Sequence, residues 1–251
     1  MSGVRPWRVV LSCEHASHRV PARWRALFAG RRALLRSHRG WDPGALELAR
    51  RLARRLGAPL VAAPATRLLA DTNRSPRHPR LFSEWTRPLQ APERERLLDA
   101  VYRPHRRCVE ALVARGLAAG RPVLHVGVHS FTPRLRGVVR RADVGVLYDP
   151  ARPRERRLAL ELRRRLSASG RWRVRLNQPY RGSADGLTTA LRRRHPPRRY
   201  LGLELELNQR HVRGPRARWR ALQRDVVASL AALGSGAPAR DRSAGNAWRH
   251  R

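Results

Sequence analysis

The chain has 251 residues, of which 55 are Lys or Arg and 18 are Asp or Glu, so its formal net charge at pH 7 is +37. A hydrophobic content of 41% at this length is enough for the core of one large domain, which argues against wholesale disorder. No run of about 18 apolar residues occurs, and Arg5, Arg8 and Glu14 interrupt the region where a signal peptide would be apolar. Two cysteines, Cys13 and Cys108, are too few for a disulfide framework or a four-cysteine zinc site. These features predict a soluble, cytoplasmic protein.

The positive charge is carried entirely by arginine, because the chain contains no lysine. A strongly basic protein can gain free energy by binding phosphate polyanions. Proteins that bind single-stranded nucleic acid combine a basic groove with aromatic side chains on which the bases stack, and only 6% of these residues are aromatic. Isoleucine is absent as well as lysine, which is typical of GC-rich coding bias. We therefore expect no specific nucleic-acid partner; a non-enzymatic polyanion-binding protein is the alternative interpretation.

Short apolar runs alternate with longer amphipathic runs along the chain, which is typical of an α/β protein. In chain order the pattern predicts a strand over 8–12, a helix over 43–56 that ends at Gly57, a strand over 59–63, and either one helix over 93–117 or two helices broken at Pro104. It then predicts strands over 122–128 and 144–148, a helix over 152–167, strands over 172–176 and 200–207, and a last helix over 217–233. Residues 234–251 are rich in Gly, Ser, Pro and Arg and are predicted to form a disordered basic tail, which leaves 1–233 as a single domain.

Polar side chains of the kinds that metallohydrolases use follow two of the predicted strands. Glu14 and His15 follow the first strand, and His129 follows the strand over 122–128. Functional residues of open α/β sheets collect at strand ends, because a rigid strand there fixes a side chain that still faces a ligand. A catalytic zinc ion needs about three ligands from His, Asp or Glu and a nearby carboxylate that accepts a proton from water. His15, His129 and one acidic residue can supply such a ligand set.

Two further polar clusters fit the same chemistry. Asn73 and Arg74 are adjacent, and an arginine beside an asparagine can hold a substrate carboxylate through two parallel hydrogen bonds. Glu204 and Glu206 share one face of the last predicted strand, where burial is costly unless the carboxylates meet a cation or a metal ion. That cost favours a functional role for the two glutamates. Asp71 can equally be an Asx-turn or capping residue, and Asn73 a turn former.

Several short segments occur in the order in which a known family has them. They are residues 12–17, 38–45, 71–75, 128–133, 145–148, 177–180 and 205–209. Through these motifs the chain resembles the N-formylglutamate amidohydrolases, a family similar in fold and zinc chemistry to carboxypeptidases and aspartoacylases. The resemblance extends over most of the chain. It implies a three-layer α/β/α fold with a mixed central sheet, of the phosphorylase/hydrolase-like type found in zinc carboxypeptidases.

The resemblance also implies a metal site. Matched motif by motif, it makes His15 and His129 ligands of one zinc ion (Zn2+) per chain. Asp42, in the Trp-Asp-Pro-Gly-Ala segment, becomes the third ligand. Glu14 is the alternative third ligand.

The activity implied by the resemblance is hydrolysis of a small-molecule N-acyl amino acid. The substrate would be an acidic amino acid that carries an N-formyl or another N-acyl amide, such as N-formylglutamate. Glu206 would be the catalytic general base, which accepts a proton from water and passes it to the leaving nitrogen. Asn73 and Arg74 would hold the carboxylate of the substrate.

Two positions depart from the family pattern. The first motif reads Glu14-His15-Ala16-Ser17, whereas enzymes of histidine breakdown have a Pro-His-Ser-Gly type of sequence, and Asp143 stands where we expect a histidine. These departures leave metal-dependent hydrolysis in place and bring other N-acyl amino acids into consideration. A family member that keeps the fold but has lost catalysis is a further alternative.

Overall fold

A computed structural model describes residues 7–233, and the tail predicted at 234–251 lies outside these residues. The strands are β1 Arg8–Cys13, β2 Leu60–Ala62, β3 Val123–Phe131, β4 Arg134–Leu135, β5 Val138–Val139, β6 Val144–Leu147, β7 Val174–Leu176 and β8 Tyr200–Asn208. The helices are α1 Arg32–Arg36, α2 Ala45–Leu56, α3 Ala91–Leu97, α4 Arg103–Ala118, α5 Pro153–Ser167, α6 Leu187–Arg194, α7 Gln209–Arg213 and α8 Arg216–Ala231. A 3₁₀ helix covers Ala22–Phe28, and a π-helical turn covers Leu98–Tyr102.

Six of these strands form the central sheet, in the order β2-β1-β3-β8-β6-β7. The strands β2, β1, β3 and β8 are parallel neighbours. Strand β6 runs antiparallel to β8, and β7 runs parallel to β6. The sheet is therefore mixed, as predicted, and the carboxyl ends of β1, β3 and β8 meet at one edge.

Side chains alternate between the two faces of this sheet, and helices cover both faces. Leu124, Val126 and Val128 of β3 belong to a core that also contains residues of α2, α5 and α8. Val123 of β3 and Tyr200 of β8 pack on the opposite face against residues of α4 and α6. The predicted three-layer α/β/α fold with a mixed central sheet is confirmed. The finer likeness to zinc carboxypeptidases stays a prediction.

The predicted strands and long helices are present with ends shifted by a few residues. The strand predicted over 172–176 starts only at Val174. The helix predicted over 93–117 runs from α3 into α4 through the π-helical turn, with Pro104 in the first turn of α4. Proline has no backbone N–H to donate, and the wider turn before it lets the chain remain helical, so neither of the two predicted forms describes it fully.

The sequence pattern did not predict several short elements. These are the 3₁₀ helix, α1, α6, α7 and the hairpin of β4 and β5. Each has eight or fewer residues, which is too short for a hydrophobic period to be distinctive. Within residues 7–233, no helix is both long enough and apolar enough to cross a membrane.

A buried ion pair joins the middle of the fold. Glu155 of α5 is fully buried and accepts hydrogen bonds from Nε of Arg192 of α6 at 3.1 and 3.2 Å. Arg192 also donates to the carbonyl oxygens of Gly182 and Gly202. The backbone N–H of Gly202 donates to Glu155 at 2.9 Å. The pair thus ties α5, α6 and β8 together.

The departure at Asp143 has a structural explanation. Its carboxylate accepts hydrogen bonds from the side chains of His211 and Arg210 and from the backbone N–H of Arg173. Burial opposes ionisation, but these contacts, led by His211 and Arg210, lower the pKa of Asp143 to about 2. Asp143, which immediately precedes β6, therefore anchors α7 to the start of that strand.

We expect Asp143→Asn to destabilise the fold at neutral pH and much less in acid. The carboxyl has a pKa of about 2 in the folded protein and of about 3.9 when unfolded. Because the folded pKa is the lower one, the stabilisation is complete above pH 5 or so and disappears as the pH falls through about 2. Urea unfolding of both proteins at several pH values measures the difference. A difference that stays constant over this range would contradict the assignment.

Candidate active site

The predicted site residues come together at the edge where β1, β3 and β8 end. His15 follows β1, His129 lies near the end of β3, and Glu206 lies near the end of β8. His129 and Glu206 are register partners in adjacent strands, so their side chains project from the same face of the sheet. This is the face that α4 and α6 cover.

His15, Asp42 and His129 form the group among residues 7–233 whose side chains could hold a metal ion, with donor atoms within 4.8 Å of one another. Oδ2 of Asp42 lies 3.3 Å from Nδ1 of His15 and 3.1 Å from Nδ1 of His129. All three side chains are buried. Separations of about 3.3 Å are those of ligand atoms that share one tetrahedral zinc ion at 2.0–2.1 Å.

Asp42 reaches this point through a tightly fixed loop before α2. Its backbone N–H donates to the carbonyl of His15 at 2.9 Å, and Ser130 N–H donates to its Oδ2 at 3.2 Å. Gly44 adopts a positive φ of 81°, and a Cβ there would lie 2.6 Å from Val212. The glycine of the Trp-Asp-Pro-Gly-Ala segment therefore permits the turn that places Asp42 beside both histidines.

The remaining ring nitrogens of the two histidines face other carboxylates. Nε2 of His15 lies 2.7 Å from Oδ1 of Asp71. Nε2 of His129 lies 3.1 Å from Oε2 of Glu14. Glu14 thus contacts His129 on the side away from Asp42. The structure groups Asp42, and not Glu14, with the two histidine Nδ1 atoms.

His105 of α4 extends this cluster. Its side chain is buried, and its Nε2 lies 3.9 Å from Oε1 of Glu14. Neither ring nitrogen has a hydrogen-bond partner among the described residues. The position on a helix gave no sign of this contact in the sequence.

Arg67 is a site residue that the sequence reasoning missed. Its guanidinium donates through Nη2 to Oδ1 of Asp42, on the side opposite the histidines. Its Nε is buried and has no partner in the described part of the chain. Nothing local marks this residue as special among 55 basic residues, so only the folded structure could reveal it.

The electrostatic environment keeps two aspartates ionised. Burial opposes ionisation of Asp42, but Arg67 and the two histidines outweigh it and hold its pKa well below the usual value. Burial likewise opposes ionisation of Asp71, and the contact with His15 reverses this effect and lowers the pKa. Burial alone would lower the pKa of His129, whereas its contacts with Asp42 and Glu14 raise it well above normal. The site is thus a cluster of acids arranged around two imidazoles.

Glu206 behaves differently from these aspartates. Burial, together with the charges of Asp42 and Glu204, raises its pKa to about 8, although His129 acts in the opposite direction. Its Oε2 is buried and accepts no hydrogen bond from any described residue. The neighbouring Glu204 instead accepts a hydrogen bond from the hydroxyl of Thr188. Glu206 is therefore a candidate proton acceptor.

Asn73 and Arg74 both contact Asp71, the aspartate that faces His15. Asn73 N–H donates to Oδ1 of Asp71, which also contacts His15. The side-chain Oδ1 of Asn73 accepts a hydrogen bond from Leu187 N–H at 2.8 Å and so caps the first turn of α6. The hydrogen bond from Asn73 N–H to Oδ1 of Asp71 is that of an Asx-turn, so this interpretation is correct for Asp71.

Arg74 is held beside this asparagine by the segment before α6. Its Nη1 donates to the carbonyl of Asp185 at 3.2 Å, and its Nε lies 3.8 Å from Oδ2 of Asp71. That Nε is buried and makes no hydrogen bond within residues 7–233. An arginine with a spare buried donor beside an asparagine amide is suited to binding a carboxylate.

The comparison with family models identifies the family. The model of N-formylglutamate amidohydrolase matches residues 7–212. The chain belongs to the N-formylglutamate amidohydrolase family. This match confirms the resemblance seen in the motifs and supports an amidohydrolase activity. Among curated proteins, none matches the chain.

Two crystal structures of similar fold agree with the family match. A gene product of Agrobacterium tumefaciens is 30% identical, with a TM-score of 0.75 over 90% of this chain and 91% of that one. An N-formylglutamate amidohydrolase from Ralstonia eutropha JMP134 is 19% identical, with a TM-score of 0.65 over 92% of this chain and 94% of that one. The second similarity shows the fold alone. Together they show that the arrangement of the sheet and helices is that of the family.

Proposed function

We propose that this member of the N-formylglutamate amidohydrolase family is a zinc-dependent amidohydrolase. Its substrate would be an acidic amino acid that carries an N-formyl or another N-acyl amide, such as N-formylglutamate. The proposal assigns His15, Asp42 and His129 as the ligands of one zinc ion and Glu206 as the general base. It assigns Asn73 and Arg74 to the substrate carboxylate.

The observation that supports the proposal most strongly is that each of the two histidines contacts two carboxylates. In each of the two rings, both nitrogens lie within 3.3 Å of a carboxylate oxygen, and the two oxygens belong to different residues. A neutral imidazole has a single N–H, so it can donate to only one of the two oxygens. Two imidazolium ions with ring centroids 5.0 Å apart would repel each other. If the Nδ1 atoms of His15 and His129 held a metal ion, the conflict would be absent, since each Nε2–H would donate to the second carboxylate, as is usual for metal-binding histidines.

The other residues of the site have separate roles in the proposed hydrolysis. A zinc ion in such a site acts as a Lewis acid and makes water acidic enough to react near neutral pH. Glu206 accepts the proton from water and returns it to the leaving nitrogen. Arg67, whose Nε has no partner within the described residues, is a cationic donor for the negative charge that develops on the carbonyl oxygen. Asn73 and Arg74 hold the carboxylate and so fix the amide relative to Glu206.

Metal content and hydrolysis measured on the same samples test the proposal. We expect about one zinc ion per chain in the wild type and hydrolysis of N-formylglutamate or of another N-acyl amino acid. His129→Ala should lose both, whereas His195→Ala, in the loop after α6, should keep both. Zinc without turnover on any N-acyl amino acid would indicate an inactive relative. Absence of bound metal, with no activity after added zinc, would contradict the proposal.

A second prediction concerns the carboxylate behind His15. Asp71→Asn should weaken zinc binding by about 10- to 100-fold, because the carboxylate that orients the His15 ring loses its charge. Competition with a chromophoric chelator measures the affinity without relying on turnover.

The matched control is Asp99→Asn, which removes an exposed carboxylate that pairs with Arg103. Its zinc affinity should equal that of the wild type. An Asp71→Asn protein that binds zinc as tightly as this control would argue against the role of Asp71.

A further inference from the structure

A cavity of about 460 Å³ is lined by Phe131, at the end of β3, and by residues around β5 and after β7, and Asn73 and Arg74 are not among its lining residues. Its walls include Phe131, Arg140, Arg141, Arg175, Gln178 and Pro179. Cavities that bind small molecules usually have volumes of about 300–1,000 Å³. The space is thus large enough for part of a substrate, and a formyl group would leave most of it empty.

Strand register connects this cavity to the site. His129, Glu206, Gly145 and Arg175 are successive register partners across β3, β8, β6 and β7. Register partners project from the same face, and adjacent strands are about 4.8 Å apart, so Arg175 lies roughly 10 Å from Glu206 along this row. Arg175 is exposed on the site face of the sheet.

Gly145 allows the backbone of Gln178, a residue that lines the cavity, to approach Glu206 closely. A Cβ on Gly145 would lie 2.1 Å from the carbonyl oxygen of Gln178 and 3.1 Å from Cβ of Glu206. Only a residue without a side chain permits this approach. Gln178, which lines the cavity, therefore lies directly beside Glu206.

Arg140 makes several contacts at the cavity. Its guanidinium carbon lies 6.0 Å from the ring centroid of Phe131 and 5.1 Å from that of Tyr180. Its Nη1 donates to the Tyr180 hydroxyl at 3.1 Å. The backbone is fixed as well, since its carbonyl accepts from the buried Asn208 amide at 2.9 Å. A guanidinium held in this way loses little entropy when it binds an anion.

The charge of the cavity is uncompensated. The lining residues include three arginines, namely Arg140, Arg141 and Arg175, and no acidic residue. None of the three forms an ion pair with a carboxylate of the described residues, whereas Arg67 and Arg192 of the core do. Arginine donors arranged in a fork match the two oxygens of a carboxylate.

We propose that this cavity binds a second carboxylate of the substrate through Arg140 and Arg175. This inference rests on the proposed function, in which Asn73 and Arg74 bind the first carboxylate. The second carboxylate can belong to the side chain of the amino acid, as in N-formylglutamate, or to the acyl group, as in an N-succinyl amino acid. Both have the same chemistry at the arginines.

The test compares charged and neutral substrates with the variant Arg140→Met/Arg175→Met. We expect KM for N-formylglutamate to rise by about 10- to 100-fold, with KM for N-formylglutamine nearly unchanged, because a charged hydrogen-bonded contact is lost only in the first case. If KM instead rises for N-succinylalanine and stays nearly unchanged for N-acetylalanine, the second carboxylate is that of the acyl group. The control Arg50→Met/Arg54→Met removes the same charge from α2, on the other face of the sheet, and should change neither KM.

An equal change for charged and neutral substrates, or no change relative to the α2 control, would overturn the inference. Calorimetric titration with glutarate separates it from the proposed function. If the wild type hydrolyses nothing but binds glutarate, and the variant binds it at least about tenfold more weakly, the carboxylate site stands without the activity. If neither glutarate binding nor hydrolysis depends on the two arginines, the inference fails. Arg175→Met alone, at an exposed position, serves if the double variant does not fold.

Discussion

Glu206→Gln should lower kcat for hydrolysis by a factor of about 10² to 10⁴ and leave zinc binding intact. The substitution keeps the shape of the side chain and removes only its ability to accept a proton. Glu206 is buried next to His129, and its Oε2 accepts no hydrogen bond from residues 7–233. Steady-state kinetics with metal analysis of the same samples measure the effect.

Stability provides an internal check on this variant. The pKa of Glu206 is raised to about 8 in the metal-free fold, so ionising this carboxyl costs stability as the pH rises towards and through 8. Glutamine does not ionise, and Glu206→Gln should therefore be at least as stable as the wild type above pH 8. A fall in activity caused by misfolding would instead lower the melting temperature.

Glu204→Gln is the matched control for Glu206→Gln. It makes the same chemical change two residues earlier on the same face of β8, where the carboxylate is bonded to Thr188. We expect its kcat to stay within about tenfold of the wild type, because it is not assigned a proton-transfer role. If the two variants lose activity equally, or if Glu206→Gln retains most of its turnover with zinc bound, Glu206 is not the general base.

Glu155→Gln should destabilise the fold by about 3–5 kcal/mol. Glu155 is fully buried, and its partner Arg192 is only 5% exposed, so the variant leaves a guanidinium charge without its counterion in a region of low polarity. Urea unfolding of the metal-free proteins measures the loss. Because the two residues form one network, the effects of Glu155→Gln and Arg192→Met should not be additive.

A control on the same helix separates this effect from a general loss of charge. Glu161 of α5, whose side chain is 31% exposed, pairs with the exposed Arg164 and with the more buried Arg165. Glu161→Gln should cost less than Glu155→Gln, because water reaches Glu161 and Arg164 and screens their interaction. Equal losses for Glu155→Gln and Glu161→Gln would show that the buried pair does not stabilise the fold.

The buried pair also bears on the site. Arg192 lies on α6, whose first turn is capped by Asn73. A loosened α6 should therefore raise KM for a substrate held by Asn73 and Arg74, while zinc content, which depends on residues outside α6, should not change. This combination distinguishes a defect in substrate positioning from loss of the metal.

The sequence by itself determined the fold class and supplied candidates for the site. The alternation of apolar and polar residues in β8 and the helical spacing of apolar residues in α2 reflect which side chains face the core. Such patterns lie within short stretches of the chain. His15, His129 and Glu206 were found because polar residues at strand ends are uncommon and because their motifs occur in order. Gly57, predicted to end α2, does so with a positive φ of 60°.

Only the tertiary structure decided which acids meet which nitrogens. Asp42 and Glu14 were both candidates for the third ligand, and the fold groups Asp42 with the two Nδ1 atoms while Glu14 faces Nε2 of His129. Arg67 and His105 carry no local signal, because their roles come from residues 25 or more positions away that the sheet and α4 bring together. Periodicity reports which face a side chain occupies, whereas the contacts of a site depend on strand register and loop paths that join distant parts of the chain.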